Sequence, residues 1–382
     1  MNCPVCYGEN LLCFFEVNNV PIFQQFLLKS KEEAISVKRG DISLKLCQNC
    51  GVIFNDKFKE ELIDYKLPYD ATQTYSPSFS KYMKRIAKYL INKYEIKHKK
   101  VLEIGSGTGE FLLYMHKFGD NLCIGFEPSE SAKNINSPHV KIINDYYSKK
   151  YNISADIIIC RHVLEHIFNP REFLKSLPKL DKCIYFFEVP NVVWSLENTA
   201  FYDFYYEHCI YFSPISLSNL FKLSEFEILK IGKGFYNQYI WIEATWKKGK
   251  KNKVQIKQDK SIKKLIKNFQ HKYEVFSQKW RKLIENFSKS NTVVLWGAGA
   301  RAVAFLNYLK IEPPLIEYVV DINPSKHNKF IPGTGQKIVP PEFLEKISSN
   351  IYVIITNPAY YNEIEKQCKP YKAKIFSLIN SL

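Results

Sequence analysis

No apolar run in these 382 residues approaches the roughly 20 that a membrane span needs. The opening, MNCPVCYGEN, lacks the charged n-region and the apolar h-region of a signal peptide. Both absences lead to the expectation of a soluble, cytoplasmic protein that engages no membrane. Motifs that read RNA or DNA are missing as well. No nucleic-acid partner is therefore expected, although the net charge is +16. Such an excess also suits phosphorylated small molecules. Short repeats and low-complexity tracts are absent, which excludes a repeat architecture.

What is present is a chain long enough for two or three domains. Apolar residues make up 46%, enough to bury a sizeable core. Aromatics reach 15%, with 25 Tyr and 27 Phe, more than packing usually needs. Much of the positive charge falls between Lys247 and Lys282, where a solvated helix face is the plain reading.

Ten cysteines in a cytoplasmic chain argue for metal ligation or isolated thiols rather than disulfides. Cys3, Cys6, Cys47 and Cys50 form two C-x-x-C pairs, C-P-V-C and C-Q-N-C. Two such knuckles are what a tetrahedral zinc site needs. With four thiolates the ion keeps no open position, so the expected zinc is structural. The other six (Cys13, Cys123, Cys160, Cys183, Cys209 and Cys368) are scattered. Cys209, beside His208, is the one with a catalytic alternative.

Phe79, Tyr82, Met83, Ile86, Tyr89 and Leu90 hold a helical period. They lead into VLEIG, a short buried strand, followed by a glycine turn and helical EFLLYMHKF. NLCIGFEPS, VKIIND, ADIIICRHVLEHI and CIYFFEVPN supply further strands. Strands and helices alternating at this rhythm predict a parallel, doubly wound α/β sheet. From Ile262 to Phe287 a helical period returns, reading as a long amphipathic linker helix. A basic membrane-surface helix is the alternative. A second α/β unit follows, with NTVVLWGAGARAVAFLNYL as strand, glycine turn and helix.

Gly105, Gly107 and Gly109 let backbone pass close to a ligand. NAD, FAD and S-adenosylmethionine all use such a loop. Three acids favour S-adenosylmethionine. Glu103 sits inside the preceding strand, and Glu127 ends the next strand, where ribose hydroxyls want a carboxylate. Asp145 follows the third strand, near the expected adenine. VLEIGSGTG is similar to motif I of class I methyltransferases. In the second unit, Gly297 and Gly299 with Asp321 after the next strand allow a redox dinucleotide, a phosphate contact, or plain scaffolding.

The whole chain resembles the three-domain, zinc-containing C-methyltransferases that act on nucleotide-linked keto-sugars. The resemblance is carried by the four cysteines, the glycine loop, HVLEHI, YEHCIYFS, GAGARAV, VVDINPSKHNKFIPGTG and IVPPE in this order. It implies a zinc-binding domain over 1–70, a class I S-adenosylmethionine methyltransferase domain over 71–246, a linker helix over 247–290 and a C-terminal Rossmann-like domain over 291–382. It implies that Tyr205, Glu207, His208, His166 and Tyr75 line the sugar pocket. It implies that Gly297 and Gly299 contact the nucleotide of the substrate. Family members often read H-E-H where this chain has Tyr206-Glu207-His208, and Asn-Asp in the glycine loop where it has GSGTGE. The sugar and the methylated position therefore stay open. A monomer or homodimer is expected.

Methylating a carbon next to a ketone needs a base, donors for the enolate oxygen, and a methyl sulfonium in line. A histidine suits the base. The expectation is that His208 is the base, Glu207 orients it, and Tyr205 and His166 face the carbonyl. O- or N-methylation, with His208 acting on a hydroxyl, is the alternative reaction. A metal held by His162, His166 and His208 is a further reading, though it lacks an evident fourth ligand. A zinc-containing scaffold without catalysis is opposed by Glu103, the intact glycines and Glu127.

Overall fold

Strand-length apolar runs pair into three sheets in a computed structural model that describes residues 2–26, 28–65, 70, 72–130, 137–246 and 255–379. The first sheet begins with β1 (Leu11–Pro21), β2 (Arg39–Cys47) and β3 (Ile53–Asn55), all antiparallel. The two cysteine knuckles flank these strands and bring their sulfurs together. Gly51, at φ +80°, closes the second knuckle, its N–H donating to the Cys47 carbonyl at 2.8 Å.

The central sheet is built from β4 (Lys100–Ile104), β5 (Leu122–Phe126), β6 (Val140–Ile143), β7 (Ile157–Arg161) and β8 (Ile184–Pro190), all parallel. β9 (Ile210–Tyr211) leaves this unit to pair antiparallel with β3 in the first sheet. β10 (Phe226–Gly234) and β11 (Tyr239–Trp246) then return as an antiparallel edge on β8. The order is β10-β11-β8-β7-β4-β5-β6. That is the class I methyltransferase fold expected from the sequence. β7, read as a continuous apolar run, is buried at every position, as a central parallel strand should be. A helix over Pro77–Tyr94 buries Phe79, Tyr82, Met83, Ile86 and Leu90, capped by Ser76 with Pro77 at its first turn. Tyr89 stays partly exposed.

The third sheet holds β12 (Thr292–Trp296), β13 (Tyr318–Val320), β14 (Lys337–Val339), β15 (Ile351–Ile355) and β16 (Lys374–Ser377). All its pairs are parallel, in the order β14-β13-β12-β15-β16.

The linker reading needs a correction. The helix runs from Lys260 to Phe287, capped by Asp259, not from 247. Residues 247–254 lie outside the described residues. Nor is it a spacer. Its Phe269 meets Phe14 and Phe15 of β1, its Tyr273 meets Phe201, and its Trp280 meets Phe305 of the third unit. A single apolar core thereby runs through all three sheets.

Phe204 stands where these layers cross. Its ring centroid lies 5.4 Å from Phe15, 5.2 Å from Tyr211 and 5.4 Å from Phe269. Phe204→Ala removes one face of each pair and leaves a cavity. It is expected to lower unfolding free energy by about 3–5 kcal/mol, measured by chemical denaturation. A loss under about 1 kcal/mol would mean the layers are not coupled there.

Candidate active site

The parallel strands of the central sheet end at a cavity of about 750 Å³, where doubly wound folds bind ligands. All three sheets contribute walls. The first sheet brings Phe58 and Tyr65, the central sheet brings its glycine loop, and the third brings Gly297, Gly299 and Arg301.

The first glycine loop turns sharply after β4, with Gly105, Gly107 and Gly109 at φ +70°, +52° and +76°. A Cβ at Gly105 would meet Val163 at 2.1 Å, whereas Gly107 faces open space. Gly109 is the cap of the following helix and does not reach the cavity wall. Glu127 accepts the Gly107 N–H at 2.8 Å and the Ser129 N–H at 2.9 Å. Glu103 is buried beneath the loop, and its Oε2 has no hydrogen-bond partner among the described residues. Burial pushes its carboxyl up to about 8, against the pull of Arg161. Asp145 lines the cavity but is paired with Lys150 and Tyr151, which hold it down at about 2. A buried carboxyl oxygen with no hydrogen-bond partner among the described residues and backbone with no Cβ in the way suit a hydroxyl-bearing cofactor such as S-adenosylmethionine.

The stretch 204–213 is not a free loop. Tyr206 is buried under the first sheet, where its hydroxyl accepts the Lys59 N–H at 2.9 Å. A Cβ at Gly40 would lie 2.4 Å from its ring. Glu207 also turns toward the first sheet, its Oε2 accepting the Gln24 N–H at 3.0 Å. Its carbonyl accepts from His166 Nδ1 at 3.0 Å. A carbonyl only accepts, so this contact assigns the proton of His166 to Nδ1. Cys209 is buried off the cavity, with its thiol donating to the Glu165 carbonyl at 3.4 Å. The thiol alternative therefore has no access to a ligand there.

Tyr205, Glu207 and His208 all line the cavity, the rings of Tyr205 and His208 4.2 Å apart. His166 meets His208 edge to face at 4.7 Å. Burial, followed by the neighbouring imidazoles His166 and His162, holds His208 well below the usual histidine range. It is neutral at neutral pH. Tyr75 lies at the cavity rim, 51% exposed, and does not join this cluster. Tyr65 does, with its hydroxyl 2.8 Å from His166 Nδ1. Nothing near Tyr65 in the sequence marks it, because its placement comes from the fold of the first sheet.

His162 follows β7 in the left-handed region, at φ +55°. Its ring turns toward Glu188, with Nε2 3.3 Å from Oε1, and toward Tyr239 at 4.5 Å. Burial opposes its charge, but Glu165 and Glu188 outweigh that and raise its pKa. Arg161 donates to Glu188 at 2.9 and 3.1 Å and stacks over Phe111. Burial pushes Glu188 up; Arg161 and His162 overcome it and hold the carboxyl down at about 2.

The second glycine loop opens onto the same cavity. A Cβ at Gly299 would meet nothing within 4 Å. Asp321, the acid a dinucleotide ribose would use, accepts the Ala298 N–H at 2.7 Å and the Asn323 N–H at 2.8 Å. Arg301 crosses the cavity wall to pair with Asp203, stacking on Trp194.

Away from the cavity, one sulfur from each of Cys3, Cys6, Cys47 and Cys50 lies within 4.8 Å of the others. Cys3–Cys50 and Cys6–Cys47 are 3.6 and 3.5 Å apart. Tetrahedral zinc with Zn–S of about 2.3 Å asks for sulfurs about 3.8 Å apart, so these four can hold one ion.

A methyltransferase-domain family model matches residues 77–231, and a C-methyltransferase C-terminal domain model matches residues 251–381. Among solved structures, the chain is similar to a SAM-dependent methyltransferase from Aquifex aeolicus at 13% identity. That match covers 44% of this chain and 93% of that one, with a TM-score of 0.35. It is also similar to magnesium protoporphyrin IX methyltransferase from Synechocystis PCC 6803 at 13% identity, covering 44% and 84%, with a TM-score of 0.37. With the fold and the two family matches together, the chain is a methyltransferase that carries a C-methyltransferase C-terminal domain.

Proposed function

We propose that the protein is an S-adenosylmethionine-dependent C-methyltransferase that acts on the carbon α to a ketone in a nucleotide-linked sugar. One observation carries the reading: both glycine loops and the tyrosine–histidine cluster share the walls of one cavity. A ligand with two ends, one reactive and one anionic, suits such a space. The C-methyltransferase match over the third unit supports carbon as the acceptor. The positively charged chain and Arg301 at the second loop suit a pyrophosphate.

S-adenosylmethionine, when bound, supplies an electrophilic methyl and leaves as the neutral thioether. The residues do the rest. His208 Nδ1 is buried with no hydrogen-bond partner among the described residues, and its lone pair takes the α-proton. The hydroxyls of Tyr65 and Tyr205 face the carbonyl oxygen, where the enolate charge develops, and His166, whose Nδ1 lies 2.8 Å from the Tyr65 hydroxyl, positions that tyrosine. With S-adenosylmethionine bound, the glycine loop and Glu127 would hold it so that its methyl could be offered to that carbon, and His208 returns its proton to solvent.

The deciding experiment is calorimetry of the chain with S-adenosylmethionine and with dTDP, UDP, GDP and CDP. It is followed by solvent deuterium exchange into the matching keto-sugar nucleotide. Binding of S-adenosylmethionine and one nucleotide, with exchange at the α-carbon, is expected. His208→Asn should cut exchange and methylation by about 10²–10⁴-fold while nucleotide affinity stays. Methylation without exchange would point to a hydroxyl or amine acceptor instead. Gly299→Leu fills the open space of the second loop. It is expected to weaken nucleotide binding at least about tenfold, ~1.4 kcal/mol, and leave S-adenosylmethionine affinity unchanged. Equal nucleotide affinity would make the loop scaffold.

The four cysteines are proposed to hold a structural zinc. Cys47→Ser should release it and lower the melting temperature. Because β3 pairs with β9, methyl transfer should fall with it. Retained zinc by elemental analysis would contradict this assignment.

A further inference from the structure

The sequence pointed to His162, His166 and His208 as a metal triad without a further ligand. The structure brings a different group together. One ligand atom from each of Glu165, His166 and His208 lies within 4.8 Å of the others, and all three residues line the cavity. His162 has instead turned to Glu188 through its left-handed backbone.

Three features of this cluster are those of a metal site rather than of a settled polar core. Glu165 is 1% exposed, and neither carboxylate oxygen has a hydrogen bond among the described residues. It forms a long ion pair with His162, Nδ1 to Oε1 3.7 Å, which leaves Oε2 for a ligand. His208 is 6% exposed, and its Nδ1 has no hydrogen-bond partner among the described residues. Buried acceptors without donors are costly, and native structures rarely leave several side by side. His166 donates Nδ1–H to the Glu207 carbonyl at 3.0 Å, which leaves the Nε2 lone pair for a ligand. That is the outer-shell contact by which metal-bound histidines are usually held. The cluster thus offers electron pairs and, inside itself, no proton donor to meet them.

We propose that Glu165, His166 and His208 form a second metal site, distinct from the four cysteines, for a divalent transition cation. Two imidazoles and one carboxylate select zinc, cobalt or iron over magnesium and calcium, which prefer oxygen alone. Ligands at 2.0–2.2 Å in a tetrahedral set lie about 3.3–3.6 Å apart, so small side-chain rotations close the group. The remaining coordination position faces the cavity. The cation takes the lone pair of His208 that the proposed base uses, so occupancy and proton abstraction exclude one another. This consequence rests on the proposed base; the binding site does not.

The test uses Co²⁺ as the probe, on full-length chain whose cysteine site is first filled with Zn²⁺. One further Co²⁺ per chain is expected by calorimetry. Its visible spectrum should be that of nitrogen and oxygen ligation, without a thiolate charge-transfer band. Glu165→Gln should weaken this binding at least about 10-fold, within the range for loss of a ligand or its support, while the cysteine zinc and the melting curve persist. If that variant does not fold, His208→Asn serves the same purpose. No additional Co²⁺ on the wild-type chain, or equal binding by both variants, overturns the site and leaves the methyl-transfer reading untouched. Binding that does not slow α-deuterium exchange keeps the cation site and removes His208 as the base.

Discussion

The pairing of β9 with β3 governs the rest of the structure. It is only two residues long, Ile53 with Tyr211 and Phe54 with Ile210, extended by the Asn55 N–H to the Cys209 carbonyl at 2.8 Å. Through it, a segment that follows the central sheet becomes an edge of the first. Once the backbone is fixed there, each side chain of 204–211 has a set destination. Tyr206 and Glu207 are used by the first sheet, Cys209 by the Glu165 carbonyl, and Phe204 and Tyr211 by the aromatic core. Tyr205 and His208 face the cavity, and Glu207 and Tyr211 also reach its lining. The apparent surplus of reactive side chains in FYYEHCIYFS is thus mostly anchorage. Anchorage of this kind holds reacting groups to the tolerance that chemistry needs.

Charge is arranged in two sets around that cavity. One set, Arg161 with Glu188 and His162, keeps its ions because each has a partner. The other keeps its groups unpaired or neutral. Glu103 lacks a partner for one oxygen among the described residues, and His166 and His208 are both pushed below the usual histidine range, mainly by burial. A ligand entering therefore meets groups with unused hydrogen-bonding capacity. Polar groups left unmet by the protein are those a ligand can meet with net gain.

Local patterns made part of this legible. The cysteine knuckles, the glycine turn after a buried strand and the helical period over Pro77–Tyr94 each depend on residues close in the chain, and each reads from sequence alone. The doubly wound sheet follows from their alternation. Long-range contacts did not show. Tyr65 reaches His166 across 101 residues of chain, and Glu207 reaches Gln24 across 183. Neither spacing leaves a periodic trace. Asp321 has the right position for a ribose ligand, yet its oxygens accept backbone N–H groups of its own unit. Glu165 was overlooked for a similar reason. Nothing inside HVLEHI marks it, and only the fold leaves both its oxygens without hydrogen bonds among the described residues.

The three sheets could in principle move against one another, but their contacts favour a fixed cavity. Arg301 pairs with Asp203, Gln238 donates to Asn357 at 2.9 Å, and Glu363 accepts from Ser76 and Ser78. Each contact spans the central and third units at the cavity wall. Asn323 donates to Asp70 at 2.9 Å, tying the third unit to the chain that precedes the central sheet. Behind them runs one continuous apolar core with the Lys260–Phe287 helix as its spine. Interfaces that are large and apolar resist domain motion, whereas small polar ones permit it. The cavity is therefore preformed, and binding a two-ended substrate costs little reorganisation of its walls. Under the proposed reaction, recognition of the handle by the third sheet would set the position of the reactive carbon relative to His208. Changes at the second glycine loop would then alter which carbon is methylated as well as how tightly the substrate binds.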